Sequence, residues 1–198
     1  MTRRSTKTPP SSGASASRKG HTAHLLAGLR FAAEKHRDDR RKGPIGAPYI
    51  NHPIAVAEQL ADVGLEDDWE LLVAAVLHDV IEDTDATSEE LEAQFGTRVK
   101  DIVLEVSDDK SLHWRERKRV VGETIGQKSQ AAQLVKLSDL IANVSDLIHQ
   151  PPNWSDEQKK GYLMWAEWVV KGVKGVQPTL ERRFAKLVAE ARQTVDSK

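Results

Sequence analysis

The apolar residues of this chain recur at helical spacing from His21 onward, with polar residues between them. No stretch alternates apolar and polar residues over enough positions to predict a strand. We therefore predict an all-α fold with a single helical domain. The predicted helices span residues 21–37, 52–63, 67–83, 87–94, 96–107, 114–125, 129–148, 155–175 and 178–194.

Helix-capping residues mark several of these boundaries. Thr87 and Glu90 have the spacing of a capping box, which predicts a helix start. Asp67 is placed to cap the apolar helix that follows it. The other signals are Ser155 followed by Glu157 at a helix start, Gly64 at a helix end and Pro178 in the first turn of the last helix.

The first 20 residues differ in composition from the rest of the chain. They place basic residues among Ser, Thr, Pro and Gly and contain no acidic residue. Such a segment cannot bury enough apolar surface to fold by itself. We therefore expect residues 1–20 to form a disordered basic tail and residues 21–198 to form the domain.

Overall charge excludes some classes of partner. The 198 residues include 29 basic and 30 acidic side chains, for a formal net charge of -1, so no general attraction to nucleic acid or to an anionic membrane is expected. Cysteine is absent, which rules out disulfides and thiolate metal ligands. No apolar run approaches the roughly 20 residues that span a bilayer. We expect a cytoplasmic protein.

The segment 77–84 carries the most distinctive chemistry. It follows the wholly apolar run 71–77 and contains His78, Asp79, Glu82 and Asp83. On one continuous helix His78 and Glu82 share a row, as do Asp79 and Asp83, so all four side chains face a common region. Burying such groups costs several kcal/mol without a partner, which predicts a cation. The alternatives are an ionic pair at a helix C-terminus for the first two residues and a solvated helix end for the last two.

Two other segments place similar chemistry on helices. His52 precedes Pro53 at a predicted helix start, and Asp139 lies on an otherwise apolar helical face with Asn143 four residues on. A buried aspartate again favours a cation. Taken singly, His52 is more typical of a structural histidine at a helix start than of a metal ligand.

Together these segments resemble the HD-domain hydrolases of the RelA/SpoT family, and most closely its small stand-alone members. The resemblance covers about residues 22–190 and implies a single HD-domain helical bundle. It also implies that His52, His78, Asp79 and Asp139 bind one divalent ion, Mn²⁺. The matching stretches are Arg41-Lys42, Pro48 to Pro53, His78-Asp79, Glu82-Asp83-Thr84, Phe95-Gly96, Lys136 to Asp139, Trp154-Ser155, Tyr162, Trp165-Ala166 and Val170.

The resemblance implies hydrolysis of the 3′-pyrophosphate of ppGpp and pppGpp, which yields GDP or GTP and pyrophosphate. We assign Glu82 and Asp83, as a hypothesis, to general acid and base catalysis. By analogy with the family, Arg41, Lys42 and Asn143 contact the substrate. The basic residues Arg115, Arg117, Lys118 and Arg119 either receive the 5′-phosphates or form a solvated helix face.

Two positions depart from the family pattern. Leu140 and Ser145 stand where basic residues are usual, which leaves the phosphate contacts open. The alternative functions are hydrolysis of another nucleotide, such as an adenine 3′-pyrophosphate or NADPH, and nucleotide binding without turnover. The expected partner is a small nucleotide, with neither nucleic acid nor membrane. The aromatic stripe of Trp154, Tyr162, Trp165 and Trp168 predicts core or interface packing and a homo-oligomer as one option.

Overall fold

The computed structural model describes the backbone of residues 13–196 and the side chains of residues 20–196. Every regular element in that range is helical, which confirms the all-α prediction. Much of the predicted tail lies outside the described residues. The first helix begins at Gly13, before its predicted start at His21, and residues 13–20 contain no proline to prevent this. The helices are α1 (Gly13–Lys35), α2 (Asn51–Leu60), α3 (Trp69–Leu77), α4 (Val80–Asp83), α5 (Ser88–Phe95), α6 (Thr97–Val106), α7 (Trp114–Thr124), α8 (Gln130–His149), α9 (Asp156–Gly172) and α10 (Pro178–Asp196).

Helix α3 forms the centre of the fold. All seven residues from Leu71 to Leu77 are buried, as their apolar run predicts. Helices α1, α2, α6 and α8 pack around α3, and α10 covers the outer side of α8. The packing brings the start of α2, the end of α3 and the middle of α8 together.

Most of the predicted boundaries agree with the structure. The capping box of Thr87 and Glu90 is present, and Ser155 caps α9 with Gln158 as its partner. Gly64 adopts a φ of 88° in the wide turn that ends α2, a conformation that favours glycine. The assignment of Asp67 as a cap was wrong. Asp68 caps α3 by accepting the Leu71 N–H at 3.2 Å.

The predicted helix over residues 67–83 is divided in the structure. It breaks at His78 and Asp79, which lie between α3 and α4. Consecutive side chains on a regular helix project about 100° apart. The break instead brings His78 Nε2 to 2.9 Å from Asp79 Oδ2. The continuous rows that the sequence suggested, from His78 to Glu82 and from Asp79 to Asp83, are therefore interrupted.

Within the described range, none of the helices has the length and apolar character needed to cross a membrane.

Candidate metal centre and active site

Three predicted ligands meet in the interior of the domain. His52 at the start of α2, His78 at the end of α3 and Asp139 in α8 are all buried. Each offers one ligand atom, and these atoms lie within 4.8 Å of one another. His52 Nε2 lies 3.2 Å from Asp139 Oδ1, and His78 Nε2 lies 3.9 Å from the same oxygen. This group can hold a divalent metal ion.

The ring of His78 is oriented for metal binding. Its Nδ1 lies 2.8 Å from the carbonyl oxygen of Ala75, so Nδ1–H donates to that carbonyl. A backbone acceptor on one ring nitrogen is a common way to direct the other nitrogen toward a metal. The buried Nε2 has no hydrogen-bond partner among the described residues. Asp79 Oδ2 is only 2.9 Å away, but it does not lie in the direction that a hydrogen bond from Nε2 requires. A buried polar atom without a partner fits a coordinated cation.

Asp79 borders this group. Its Oδ2 lies 2.9 Å from His78 Nε2 and 3.8 Å from His52 Nε2. The Tyr49 hydroxyl donates to the same oxygen at 2.5 Å. Burial and the Asp79 carboxylate raise the pKa of Tyr49, so the hydroxyl keeps its proton and remains a donor. Tyr49 belongs to the segment 48–53 that resembles the family, but the sequence did not indicate its contact with Asp79.

Charged neighbours balance the buried carboxylates. Burial opposes ionisation of Asp139, but the Lys136 ammonium, 3.1 Å from Oδ2, helps to hold the pKa of Asp139 well below its usual range. Burial also opposes protonation of His78, yet the Asp79 carboxylate raises the pKa of His78 to about 9. The buried carboxylates and imidazoles are therefore close enough to alter one another's affinity for protons.

Glu82 and Asp83 have different surroundings from the ligand group. Glu82 Oε2 accepts the backbone N–H of Asp108 at 3.1 Å, and Oε1 lies 3.5 Å from Nη1 of Arg117. Burial and the Asp108 carboxylate raise the pKa of Glu82 to about 7. Asp83 forms a more exposed ion pair with Lys110 at 2.7 Å. Both acids are thus bonded to the segment that follows α6, a link that sequence reasoning missed.

A chain of hydrogen bonds connects Arg41 with the ligand group. Arg41 donates to Asp146 Oδ2 through Nε at 2.9 Å and through Nη2 at 2.5 Å. Its Nη2 also donates to Asn143 Oδ1 at 2.7 Å. The Asn143 amide nitrogen donates in turn to Asp139 Oδ1 at 2.5 Å. Asn143 therefore lies between Arg41 and a candidate ligand, as its spacing from Asp139 suggested, whereas Asp146 was not predicted.

A cavity of about 360 Å³ opens beside this chain of bonds. Trp154 and Tyr162, which the sequence assigned to a core or interface stripe, contribute to its wall. Aromatic faces and guanidinium groups in one cavity suit a nucleotide. The lining residues are Arg40, Arg41, Lys42, Tyr49, Asp83, Asn143, Asp146, Leu147, Gln150, Pro152, Trp154 and Tyr162.

The two departures from the family pattern have different positions. Leu140 is fully buried in the core, so its side chain does not reach the cavity. Ser145 lines a second cavity of about 490 Å³, which also contacts Arg41, His52 and Arg183. Ser145 therefore lies in this second cavity and not in the lining of the cavity that contains Tyr162 and Trp154.

Known proteins are similar to this chain in both fold and sequence. The family model of the HD domain matches residues 28–149, and the chain belongs to this HD-domain family. It is 48% identical over 170 residues to guanosine-3′,5′-bis(diphosphate) 3′-pyrophosphohydrolase MESH1 of Danio rerio, covering 85% of this chain and 94% of that protein. The human MESH1 protein is 45% identical over 174 residues, covering 87% and 97% of the two chains.

A solved structure gives the same relationship. It belongs to a metazoan ortholog of SpoT that hydrolyzes ppGpp and plays a role in starvation responses. It superimposes with a TM-score of 0.81 at 38% identity and covers 93% of this chain and 98% of that chain. The predicted HD-domain bundle is therefore confirmed.

Proposed function

We propose that this protein hydrolyses the 3′-pyrophosphate of ppGpp and pppGpp, and releases pyrophosphate with GDP or GTP. The observation that carries the proposal is the unpartnered Nε2 of His78, which is buried beside His52 and Asp139. The activity named for the MESH1 relatives supports the choice of substrate.

We assign one Mn²⁺ ion to His52, His78, Asp79 and Asp139. Two imidazoles and two carboxylates suit a first-row divalent ion. An ion held by these residues would supply Lewis-acid chemistry, that is, polarisation of a phosphoryl group and a lower pKa for a bound water molecule. Tyr49 fixes the Asp79 carboxylate through its hydroxyl, and Lys136 and Asn143 fix Asp139.

The acid pair moves the proton in this proposal. Glu82, with a pKa near neutrality, accepts a proton from the attacking water. The water oxygen forms a bond to the phosphorus next to the ribose 3′ oxygen, and the bond between that phosphorus and the ribose oxygen breaks. The ribose oxygen takes up a proton as the pyrophosphate leaves. Asp83, which lines the cavity, orients the water or returns the proton.

Arg41, Lys42 and Asn143 hold the nucleotide. Arg41 and Lys42 both line the aromatic cavity, where a guanidinium can stack on a purine and an ammonium can pair with phosphate. Asn143 contacts the ribose or the base while it remains bonded to Asp139. The ion pair of Arg41 with Asp146 keeps the guanidinium in position.

Release of pyrophosphate from ppGpp tests the proposal. Metal-stripped protein is assayed with Mn²⁺ restored, beside the adenine analogue and NADPH, because Ser145 leaves the phosphate contacts open. We expect Mn²⁺-dependent turnover of ppGpp that Asp79→Asn abolishes. The exposed Asp85, paired with Lys35, provides the matched control Asp85→Asn, which should retain activity. If only the adenine compound or only NADPH is hydrolysed, that compound is the substrate and ppGpp is not. No turnover of any of the three would favour a nucleotide-binding protein without catalytic activity.

A further inference from the structure

The basic residues of α7 differ in their pairing. Arg117 lies beside Glu82, and Arg119 is paired with Glu116 and Glu123. Lys118 differs from both, because no described carboxylate lies within 4 Å of its ammonium nitrogen. Arg115 also has no described carboxylate within 4 Å, but it is exposed, so Lys118 is the partly buried cation of this segment that lacks such a partner.

Lys118 is surrounded by aromatic rings. Its Nζ lies 4.9 Å from the ring centroid of Trp165, 5.3 Å from that of Tyr162 and 5.8 Å from that of Trp114. Burial lowers the pKa of Lys118. Aromatic faces offset part of the cost of burying a cation, but a bound anion would offset more of it.

Tyr162 connects Lys118 with the wall of the cavity, although Lys118 is not itself a lining residue. Tyr162 belongs both to the ring cluster around Lys118 and to the cavity wall. The indole N–H of Trp165 donates to the carbonyl oxygen of Lys118 at 2.9 Å. Gly122 permits close packing of α7 on α9, since a Cβ there would lie 2.5 Å from the ring of Trp168. The ammonium is therefore held in place before any ligand arrives.

Three cations near the reaction site are already paired with carboxylates, whereas Arg40 and Lys42, which line the cavity, have no described carboxylate within 4 Å. Arg41 is paired with Asp146, Lys110 with Asp83 and Lys136 with Asp139. A nucleotide with two diphosphate groups brings one of them to the metal centre. The second diphosphate needs a cation that has no carboxylate partner.

We propose that Lys118 binds the 5′-diphosphate of the substrate at the Tyr162 edge of the cavity. This inference rests on the proposed function and deepens it, because it makes Lys118 a specificity residue for nucleotides that carry phosphate at both ends. Trp114, which is half exposed and also contacts Arg115, forms the outer side of this subsite.

The test compares two substrates in four proteins. The substrates are ppGpp and guanosine 3′-diphosphate, which lacks the 5′-phosphates. Lys118→Met retains the aliphatic packing against the rings, and Lys118→Arg retains the charge. Arg119→Gln is the matched control, since it removes a positive charge from an exposed ion pair one residue away.

We expect Lys118→Met to raise KM for ppGpp by about tenfold, the scale of a charge-assisted contact, with kcat within about twofold. KM for guanosine 3′-diphosphate should stay the same, and Lys118→Arg should stay close to wild type. Equal shifts for both substrates, or no shift, would overturn the role of Lys118. Failure of the wild type to hydrolyse ppGpp would instead overturn the proposed function itself.

Discussion

The metal-ligand group and the acid pair meet in the sequence only at His78, and they are built in different ways. His52, His78 and Asp139 come from three parts of the core and are almost fully buried. Glu82 and Asp83 lie on the single turn of α4 and are bonded to Asp108, Arg117 and Lys110 after α6. Helix packing therefore fixes the ligands, whereas hydrogen bonds and ion pairs near the surface fix the acids.

The difference in burial suits the ligand group to metal binding and the acid pair to proton transfer. A metal centre needs fixed donors, and a packed core supplies them. A proton-transferring group must accept and release charge, so partial burial and carboxylate neighbours suit Glu82. Substitutions in the two regions should therefore differ in their effects on metal content and on stability.

Asp139→Asn should have the largest effect. It removes a candidate metal ligand and leaves the largely buried Lys136 without its carboxylate, which costs about 3–5 kcal/mol in free energy of unfolding. Turnover should fall by about 10³-fold, because metal catalysis supplies several kcal/mol. Metal analysis by mass spectrometry and chemical denaturation measure both losses. Retained metal with normal stability would contradict the idea that packing of Lys136 and Asp139 builds this centre.

Glu82→Gln should impair catalysis without affecting metal binding. We expect turnover to fall by about 10²-fold with metal content unchanged. Because the pKa of Glu82 is raised from 4.5 to about 7, the folded protein holds this proton more tightly than the unfolded chain does. Ionisation of Glu82 thus lowers the stability of the metal-free protein as the pH rises through this interval.

The substitution removes that cost. In chelator at about pH 8, Glu82→Gln should raise the free energy of unfolding by on the order of 2 kcal/mol, and near pH 4 it should change little. Urea denaturation at the two pH values measures the difference. A loss of stability at the higher pH would show that the ionised carboxylate stabilises the fold.

Asn143→Ala tests the connection between the cavity and the metal centre. The amide bonds both Arg41 and Asp139, so its removal should raise KM and weaken metal binding, each by about tenfold. Steady-state kinetics and metal titration measure the two effects. A change in KM alone would limit Asn143 to substrate contact.

Lys110→Met should have the smallest effect. Its ion pair with Asp83 is half exposed, and such pairs contribute less than about 1 kcal/mol. We expect stability and kcat to change little, within about twofold for kcat. A large fall in kcat with unchanged stability would mean that Lys110 positions Asp83 for catalysis.

Much of the fold followed from the sequence pattern. The apolar run 71–77 became the central helix, and Thr87, Ser155 and Pro178 begin helices as predicted. The division of the helix at His78 was not predicted, because neither residue of the pair is a helix breaker by type. The assignment of the cap to Asp67 failed for a similar reason, since two adjacent aspartates offer the same chemistry.

The aromatic residues show the limit of local patterns. Tyr162 and Trp154 have the spacing of a packing stripe. Only the tertiary structure places Tyr162 of α9 and Trp154, which precedes α9, in one cavity with Asn143 of α8. The partners of Arg41 and Glu82 are also distant in sequence, at Asp146 and Asp108. Pairings over such separations depend on helix packing, which spacing along one segment does not reveal.

The sequence by itself determined the helical class, the positions of the buried helices and the residue types that can bind a metal. Those properties depend on local spacing and on the cost of burying charge. Only the tertiary structure decided that His78 directs an unpartnered Nε2 toward His52 and Asp139, and that Arg117 pairs with Glu82 while Lys118 lacks a described carboxylate partner. Those decisions depend on distances of a few ångströms between separate helices, and such distances are set when the core packs.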